Sequence, residues 1–241
     1  MAVNGISSGL SGPPPLVVGI AGGSGSGKTT IARELQAALA DVTLIQHDSY
    51  YRHRPHLSFE QRSSVNYDHP DSLETELLIH HLQVMAEGAA IVRPTYDFTL
   101  HLRVPDPERI EPGRVIIVEG ILVLADAELR KHLDLKIYVD TDPAVRLSRR
   151  LRRDIEERGR SRESVLQQYA TYVGPGHQEF VEPSKAHADL ILSDGDDLAA
   201  IATLIARAEA RGPQRPPLTG SLRVDSPRRH EADLAVRRSG S

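Results

Sequence analysis

The chain has 241 residues, enough for one α/β domain or two small ones, and 39% of them are apolar, which supports a packed core. A net charge of −4 argues against a nucleic-acid partner, and the absence of Cys excludes a disulfide framework or a thiolate metal site. The most apolar run, Val115 to Leu124, is broken by Glu119 and is too short for a membrane span, so no membrane partner is expected.

Residues 1–14 are rich in Gly, Ser and Pro and are expected to be disordered. Met1 to Pro15 has neither the basic start nor the apolar stretch of a secretory signal, so a cytoplasmic protein is expected. The predicted globular domain is 15–211, and the Pro- and Arg-containing stretch 212–241 reads as a disordered tail.

The first predicted element is an apolar strand, Leu16–Ala21. The stretch Gly22 to Thr29 then fits G-x-x-x-x-G-K-[ST], the P-loop pattern. A helix over Lys28–Ala40 follows, with Ile31, Leu35 and Leu39 on one face. Strand, glycine loop and helix is the setting this motif needs, because backbone N–H groups and a helix N-terminus then converge on one anion. Gly22, Gly23, Ser24, Gly25, Ser26, Gly27, Lys28, Thr29 and Thr30 are therefore candidates to hold the phosphates of ATP or GTP. Lys28 would reach the terminal phosphates, and the Thr29 hydroxyl would ligate Mg²⁺.

A second strand, Thr43–Gln46, leads to Asp48, which reads either as a turn or N-cap residue or as a base for a hydroxyl proton. Asn66-Tyr-Asp-His-Pro-Asp71 precedes a helix over Ser72–Ala86. Ala90 to Glu111 contains several Pro residues and breaks the α/β rhythm, so it reads as a β-hairpin placed to cover a second substrate. Tyr67, Tyr96 and Phe98 fall in polar, loop-like surroundings. They read either as core residues or as rings beside His and Asp that hold a planar heterocycle.

A third strand, Val115–Glu119, ends in an acid, as does a fourth, Leu135–Asp140, after a helix over Ala125–His132. In the strand order 2-3-1-4-5 the third strand lies beside the P-loop strand. That favours Glu119 near the metal and puts Asp140 further off, capping the helix over Asp142–Arg158. This helix opens a run with seven Arg in the 15 residues 146–160. The run is either a solvated face with ion pairs to Asp154, Glu156 and Glu157, or a lid that closes on phosphates with Gly159 as hinge. A helix over Arg162–Tyr172, a strand Leu190–Leu192 and a helix Leu198–Glu209 complete a doubly wound, mainly parallel five-stranded α/β sheet.

With these segments in order, the chain resembles the uridine kinase (uridine–cytidine kinase) branch of the phosphoribulokinase/uridine kinase family of P-loop kinases. The match runs over about 16–210: the P-loop, Asp48-Ser-Tyr-Tyr51, Asn66 to Asp71, Tyr96-Asp-Phe98, His101, Val118-Glu-Gly-Ile-Leu122, Val139-Asp-Thr-Asp142, Arg149-Arg150, Arg153-Asp154, Arg158-Gly-Arg160, Gln168-Tyr169 and Phe180-Val-Glu-Pro-Ser-Lys185. The resemblance implies an ATP- or GTP-dependent, Mg²⁺-assisted kinase of pyrimidine nucleosides that assembles as a homotetramer. It implies that Asp48 is the base on the 5′-hydroxyl and joins Thr29 and Glu119 around Mg²⁺. Asp68 and Arg150 would hold the ribose hydroxyls, Tyr67 and Phe98 would stack the base, and Tyr96 and His101 would read the pyrimidine 4-position edge. Tyr51 joins the substrate-binding set, and Gln168 is a ribose-side contact. Lys28 and Arg153 would act on the transferred group, and Arg158 and Arg160 would reach the phosphates. Ser193-Asp194-Gly195-Asp196 stands where the family has a Pro- and Gly-rich loop beside the donor purine.

Two rivals are weaker. A sugar-phosphate kinase of the same superfamily needs a second anion site and no aromatic clamp, whereas Tyr67, Phe98 and His101 suit a base. A nucleotide-sensing regulator of the GTPase kind needs Asn-Lys-x-Asp, but Asn4 and Asn66 are the sole Asn residues and neither precedes Lys. A degenerate regulator would also be expected to lack Lys28, Asp48 or the lid arginines.

Overall fold

The computed structural model describes residues 13–193 and 195–213; the expected disordered stretches fall largely on residues 1–12 and 214–241, outside the described residues. In chain order the elements are β1 (Leu16–Gly22), α1 (Lys28–Ala38), β2 (Val42–Gln46), α2 (Phe59–Ser63), α3 (Thr75–Ala86), β3 (Ile91–Asp97), β4 (Leu102–Ile110), β5 (Val115–Glu119), α4 (Ala127–Arg130), β6 (Leu135–Val139), α5 (Pro143–Glu156), α6 (Arg162–Gln168), β7 (Leu190–Leu192) and a C-terminal helix, Leu198–Arg211. Strands β2, β5, β1, β6 and β7 form one parallel sheet in that order. Counted among the sheet's own strands, the order is the expected 2-3-1-4-5.

The sheet is apolar on both faces because helices cover both. Successive residues of β1 alternate between them. Val17 and Ala21 join Leu78, Leu82 and Met85 of α3, whereas Val18 and Ile20 join Leu35 of α1 and Ile201 and Ile205 of the C-terminal helix. Each fully buried Val, Leu, Ile or Met side chain among them contributes about 1.5–3 kcal/mol. Gly19 of β1 leaves no room for a larger residue, since a Cβ there would lie 2.5 Å from Leu133 Cδ1. Among the described residues no helix is long and apolar enough to cross a membrane.

β3 and β4 pair antiparallel as a separate two-stranded sheet, the expected hairpin. Their register shifts between Arg93 and Thr95, where Pro94 has no N–H to give the ladder. Arg103 of β4 donates to the Tyr50 carbonyl at 3.2 Å and pairs with Glu74 at 2.9 Å, so the hairpin is fastened to the turn that carries Asp48.

Several boundaries depart from expectation. Helix α4 is shorter than 125–132, and it starts at Ala127 because the Asp126 side chain caps it through Leu129 N at 2.7 Å. A 3₁₀ turn, Pro70–Ser72, precedes α3, which starts three residues after the predicted Ser72. The short α2 was not foreseen, although Ser58 and Gln61 form a capping box around its start. Helix α5 stops at Glu156, so Arg158 and Arg160 lie in the turn beyond it. The segment after α6 does not end at Tyr172 but stays helical to residue 187, past Pro175 and Pro183. Wider π-type turns, Tyr169–Val173 and His177–Val181, precede each proline and contain its i−4 residue, Thr171 or Glu179. They open the backbone where a proline ring would otherwise strike that carbonyl.

Candidate active site

The glycine loop leaves β1 at Gly22 and enters α1 through Gly27, which has φ +93. No side chain caps α1 and its first turn holds no acid, so the helix start presents N–H groups and positive partial charge toward the loop. Arg146 of α5 packs against the back of the loop. A Cβ at Gly25 would lie 2.2 Å from the Arg146 carbonyl oxygen, and one at Gly23 would strike its guanidinium. Ser24 Oγ accepts from Arg150 at 2.7 Å, and Ser26 donates through its backbone N–H to Gly23 at 3.0 Å. Lys28, Thr29 and Thr30 follow on the first turn of α1, and Lys28 is buried.

Three acids end or follow strands. Glu119 closes β5, is buried, and accepts from the Thr29 hydroxyl at 3.1 Å and the Gln46 amide at 3.3 Å. Burial pushes its carboxyl above the usual range, opposed by the Lys28 charge. Asp48 sits in the 3₁₀ turn His47–Tyr50 after β2, and its Oδ1 is buried without a hydrogen-bond partner. Its side chain does not cap that turn. Asp140 follows β6 and pairs with Lys185 at 2.5 Å. The expectation that Asp140 caps the next helix is corrected: Asp142 does so, accepting from Ala144 N at 2.8 Å. Asp142 is two residues closer to the first turn, and Pro143 starts the helix after it.

One cavity brings most of the other candidates together. Ser24, Lys28 and Asp48 lie on its P-loop side, with Asp68, Arg150 and Gln168 beside them. Tyr51, Tyr67, Tyr96, Phe98 and His101 form its aromatic wall, and Arg153, Arg158 and Arg160 close it. Tyr67 stacks on His101 with ring centres 5.1 Å apart and planes at 21°. The Tyr51 hydroxyl donates to the Tyr67 carbonyl at 3.2 Å, and Tyr51 and Tyr96 lie 5.2 Å apart. The hydroxyls of Tyr67 and Tyr96 are buried without a hydrogen-bond partner. His101 has φ +52, a strained value for a residue other than glycine. Burial, helped by the Arg160, Arg62 and Arg158 charges, lowers its pKa to about 4, so its ring is neutral at pH 7. Burial raises the Asp68 pKa, and the Arg150 charge opposes this.

A second groove runs along the other side of the P-loop. Its walls include Thr29, Thr30, Glu119, Arg149 and Arg152, and at its far end Leu192, Ser193, Gly195 and Asp196. Ser193 N donates to Asp196 Oδ2 at 2.7 Å; Asp194 lies outside the described residues. Lys28, Asp48, Phe98, Arg153 and Arg158 line both spaces.

The arginine run converges on Asp154, which is fully buried. Arg153 reaches it at 2.8 Å, Arg160 at 3.1 Å, Arg158 at 3.4 Å and Arg150 at 3.6 Å. Arg160 also donates to Gln168 Oε1 at 3.0 Å. Arg150, Arg153, Arg158 and Arg160 are thus not a solvated face, whereas Arg149 and Arg152 are exposed, and Arg158 lies beyond the helix that was expected to reach it.

The Phosphoribulokinase / Uridine kinase family matches residues 17–199 of the chain. The chain belongs to this family. Among relatives, the uridine kinase of Brevibacillus brevis is 50% identical over 183 residues, 75% of this chain and 86% of that one. The uridine kinase of Geobacillus kaustophilus is 48% identical over 199 residues, covering 81% and 94% of the two chains. The fold is similar to that of the solved phosphoribulokinase from Rhodobacter spheroides, with a TM-score of 0.56 at 13% identity over 75% of this chain and 70% of that one.

In this phosphoribulokinase/uridine kinase family chain, sequence reasoning placed Arg146 among the lid arginines and Asp154 in a solvated face, and so missed Arg146 as a support under the glycine loop and Asp154 as a buried anchor. The spacing Arg146, Arg150, Asp154 is i, i+4, i+8, one helix face, and that signal was available. Ile121, Tyr172 and Val173 also line the cavity. The last two arrive through the π-type turn 169–173, which periodicity does not reveal.

Proposed function

We propose that the protein transfers the γ-phosphoryl group of ATP, or GTP, to the 5′-hydroxyl of uridine or cytidine, giving UMP or CMP. One observation carries this reading: Asp48, with a buried and unpartnered carboxylate oxygen, lies between a P-loop and a cavity walled by Tyr67, Tyr96, Phe98 and a neutral His101. The identity to uridine kinases over most of the chain supports it.

In this mechanism the P-loop amides and Lys28 hold the donor phosphates. Asp48 takes the 5′-hydroxyl proton as that oxygen bonds to the γ-phosphorus, and the bond to the β–γ bridging oxygen breaks to release the nucleoside diphosphate. Lys28, Arg153, Arg158 and Arg160 offset the charge that spreads over the transferred oxygens. Asp68, Arg150 and Gln168 hold the ribose. Tyr67 and Phe98 stack the base, and Tyr51, Tyr96 and His101 supply its polar edge contacts. Thr29, Asp48 and Glu119 suit Mg²⁺. All three offer oxygen, and a buried carboxyl with a raised pKa beside an unpartnered carboxylate oxygen is a site that a hard cation satisfies. When bound, the ion would neutralise and orient the phosphates.

The reading extends to a homotetramer in the cytoplasm, supported by the family resemblance. The test is ADP release by the purified protein with ATP and Mg²⁺ against uridine, cytidine, adenosine and ribulose 5-phosphate. Turnover with uridine or cytidine is expected; turnover confined to ribulose 5-phosphate would overturn the reading.

A further inference from the structure

Phe98 and Arg158 meet at the boundary between the two spaces and line both. The Arg158 guanidinium carbon lies over the face of the Phe98 ring, 4.6 Å from its centre. The ring's other neighbours come from the core side: it packs against the buried cluster, and Tyr96 meets it edge to face at 5.4 Å. Arg158 thus occupies one face of the ring where the two spaces meet. A planar base that stacks on that face displaces the guanidinium. Arg158 is tethered nearby by Asp154, and Gly159 beside it has φ +64 with nothing within 4 Å of a Cβ position, so the turn has room to move.

We propose that the Phe98 ring parks Arg158 until a base arrives, so that delivery of this charge to the phosphates depends on an aromatic acceptor. The inference rests on the nucleoside kinase reading of the two spaces. An incoming base exchanges one ring contact for another and releases a guanidinium that stays tethered beside the donor groove. Water brings no ring. When water is the acceptor, its oxygen bonds to the γ-phosphorus, its proton passes to Asp48, and the bond to the bridging oxygen breaks to leave ADP and phosphate. Arg158 remains on Phe98 throughout, and hydrolysis is slow. A cation over a ring is held by an energy equivalent to roughly 2- to 30-fold in an equilibrium, which sets the size of the effect.

The test is ATP hydrolysis by the full chain with Mg²⁺ and no nucleoside, so that base stacking plays no part. Phe98→Leu and Phe98→Met remove the ring from a half-buried position; Phe98→Tyr keeps it. The ring-less variants are expected to hydrolyse ATP about 2- to 30-fold faster than the wild type, and faster than Phe98→Tyr, which keeps a ring under Arg158. Unchanged or slower hydrolysis in the ring-less variants overturns the proposal, as does an equal rise in Phe98→Tyr. If Phe98→Leu melts at low temperature, Phe98→Met decides. Failure of the kinase reading appears separately, as a wild-type protein that does not phosphorylate uridine or cytidine.

Discussion

The Arg150 guanidinium donates to the Ser24 hydroxyl at 2.7 Å, fastening helix α5 to the glycine loop. Ser24→Ala removes that bond and leaves a buried N–H group unpaired. The KM for uridine or cytidine is expected to rise several-fold, and by more than the KM for ATP. A rise confined to ATP would show that Ser24 serves the donor alone.

Asp48→Asn is expected to lower kcat by about 10²–10⁴-fold while ATP binding persists, because an amide accepts no proton but the P-loop is untouched. Steady-state kinetics beside ATP titration check this. A variant that keeps more than about a tenth of kcat would leave Asp48 as a turn residue.

Asp154→Asn strips the buried countercharge from four arginines. Breaking a buried ion pair from one side costs about 3–5 kcal/mol, so the melting temperature should fall. Because Arg153, Arg158 and Arg160 lose their anchor together, kcat should fall further than in Arg160→Ala. Equal kcat in the two variants would show that Asp154 supports only the fold.

Two glycines with positive φ separate strain from crowding. At Gly159 a Cβ meets nothing, so Gly159→Ala pays only the left-handed backbone penalty, about 1–2 kcal/mol. At Gly25 a Cβ also collides with the Arg146 backbone, so Gly25→Ala should lose ATP binding and melt lower. Similar melting temperatures in the two variants would count against the close packing of Arg146 under the loop.

Buried imidazoles set part of the acid response. Burial, then the His80 charge, lowers the His81 pKa to about 4 in the fold, against 6.5 in an open chain. The unfolded chain therefore takes up the proton first on acidification. The stabilisation from His81 is complete above about pH 6.5 and is lost as the pH falls toward 4. His47 and His101 behave alike, while the raised carboxyls of Asp68 and Glu119 act in the opposite sense. Melting temperature should fall between pH 7 and 5, and fall less steeply in His81→Gln. Parallel curves for the two proteins would refute the assignment.

The sheet order, the P-loop and the hairpin were legible because apolar runs and glycine spacing are local signals. The Thr29–Glu119 contact followed from strand order. The convergence of Arg150, Arg153, Arg158 and Arg160 on a buried Asp154 was not legible, because charge composition reads as solvent exposure until such a partner is seen in the interior. Nor was the helix through Pro175 and Pro183, since proline usually ends one and only the widened turns before it permit continuation. Asp140 was misread as a cap because two acids stand two residues apart at the end of β6, and the sequence does not say which faces the helix.

Helix α5 carries Arg146 against the back of the P-loop, Arg150 to Ser24 and Arg153 to the space both cavities share. These contacts span eight residues of one rod, seven steps and about 10 Å at 1.5 Å per step. On the proposed kinase reading, the helix is thus a gauge that sets how far apart donor and acceptor stand. One inserted residue between Arg146 and Arg150 would turn the later arginines by about 100° and detach the acceptor side from the loop. Substitutions along this helix weaken single contacts, whereas a change in its length puts the two halves of the site out of step.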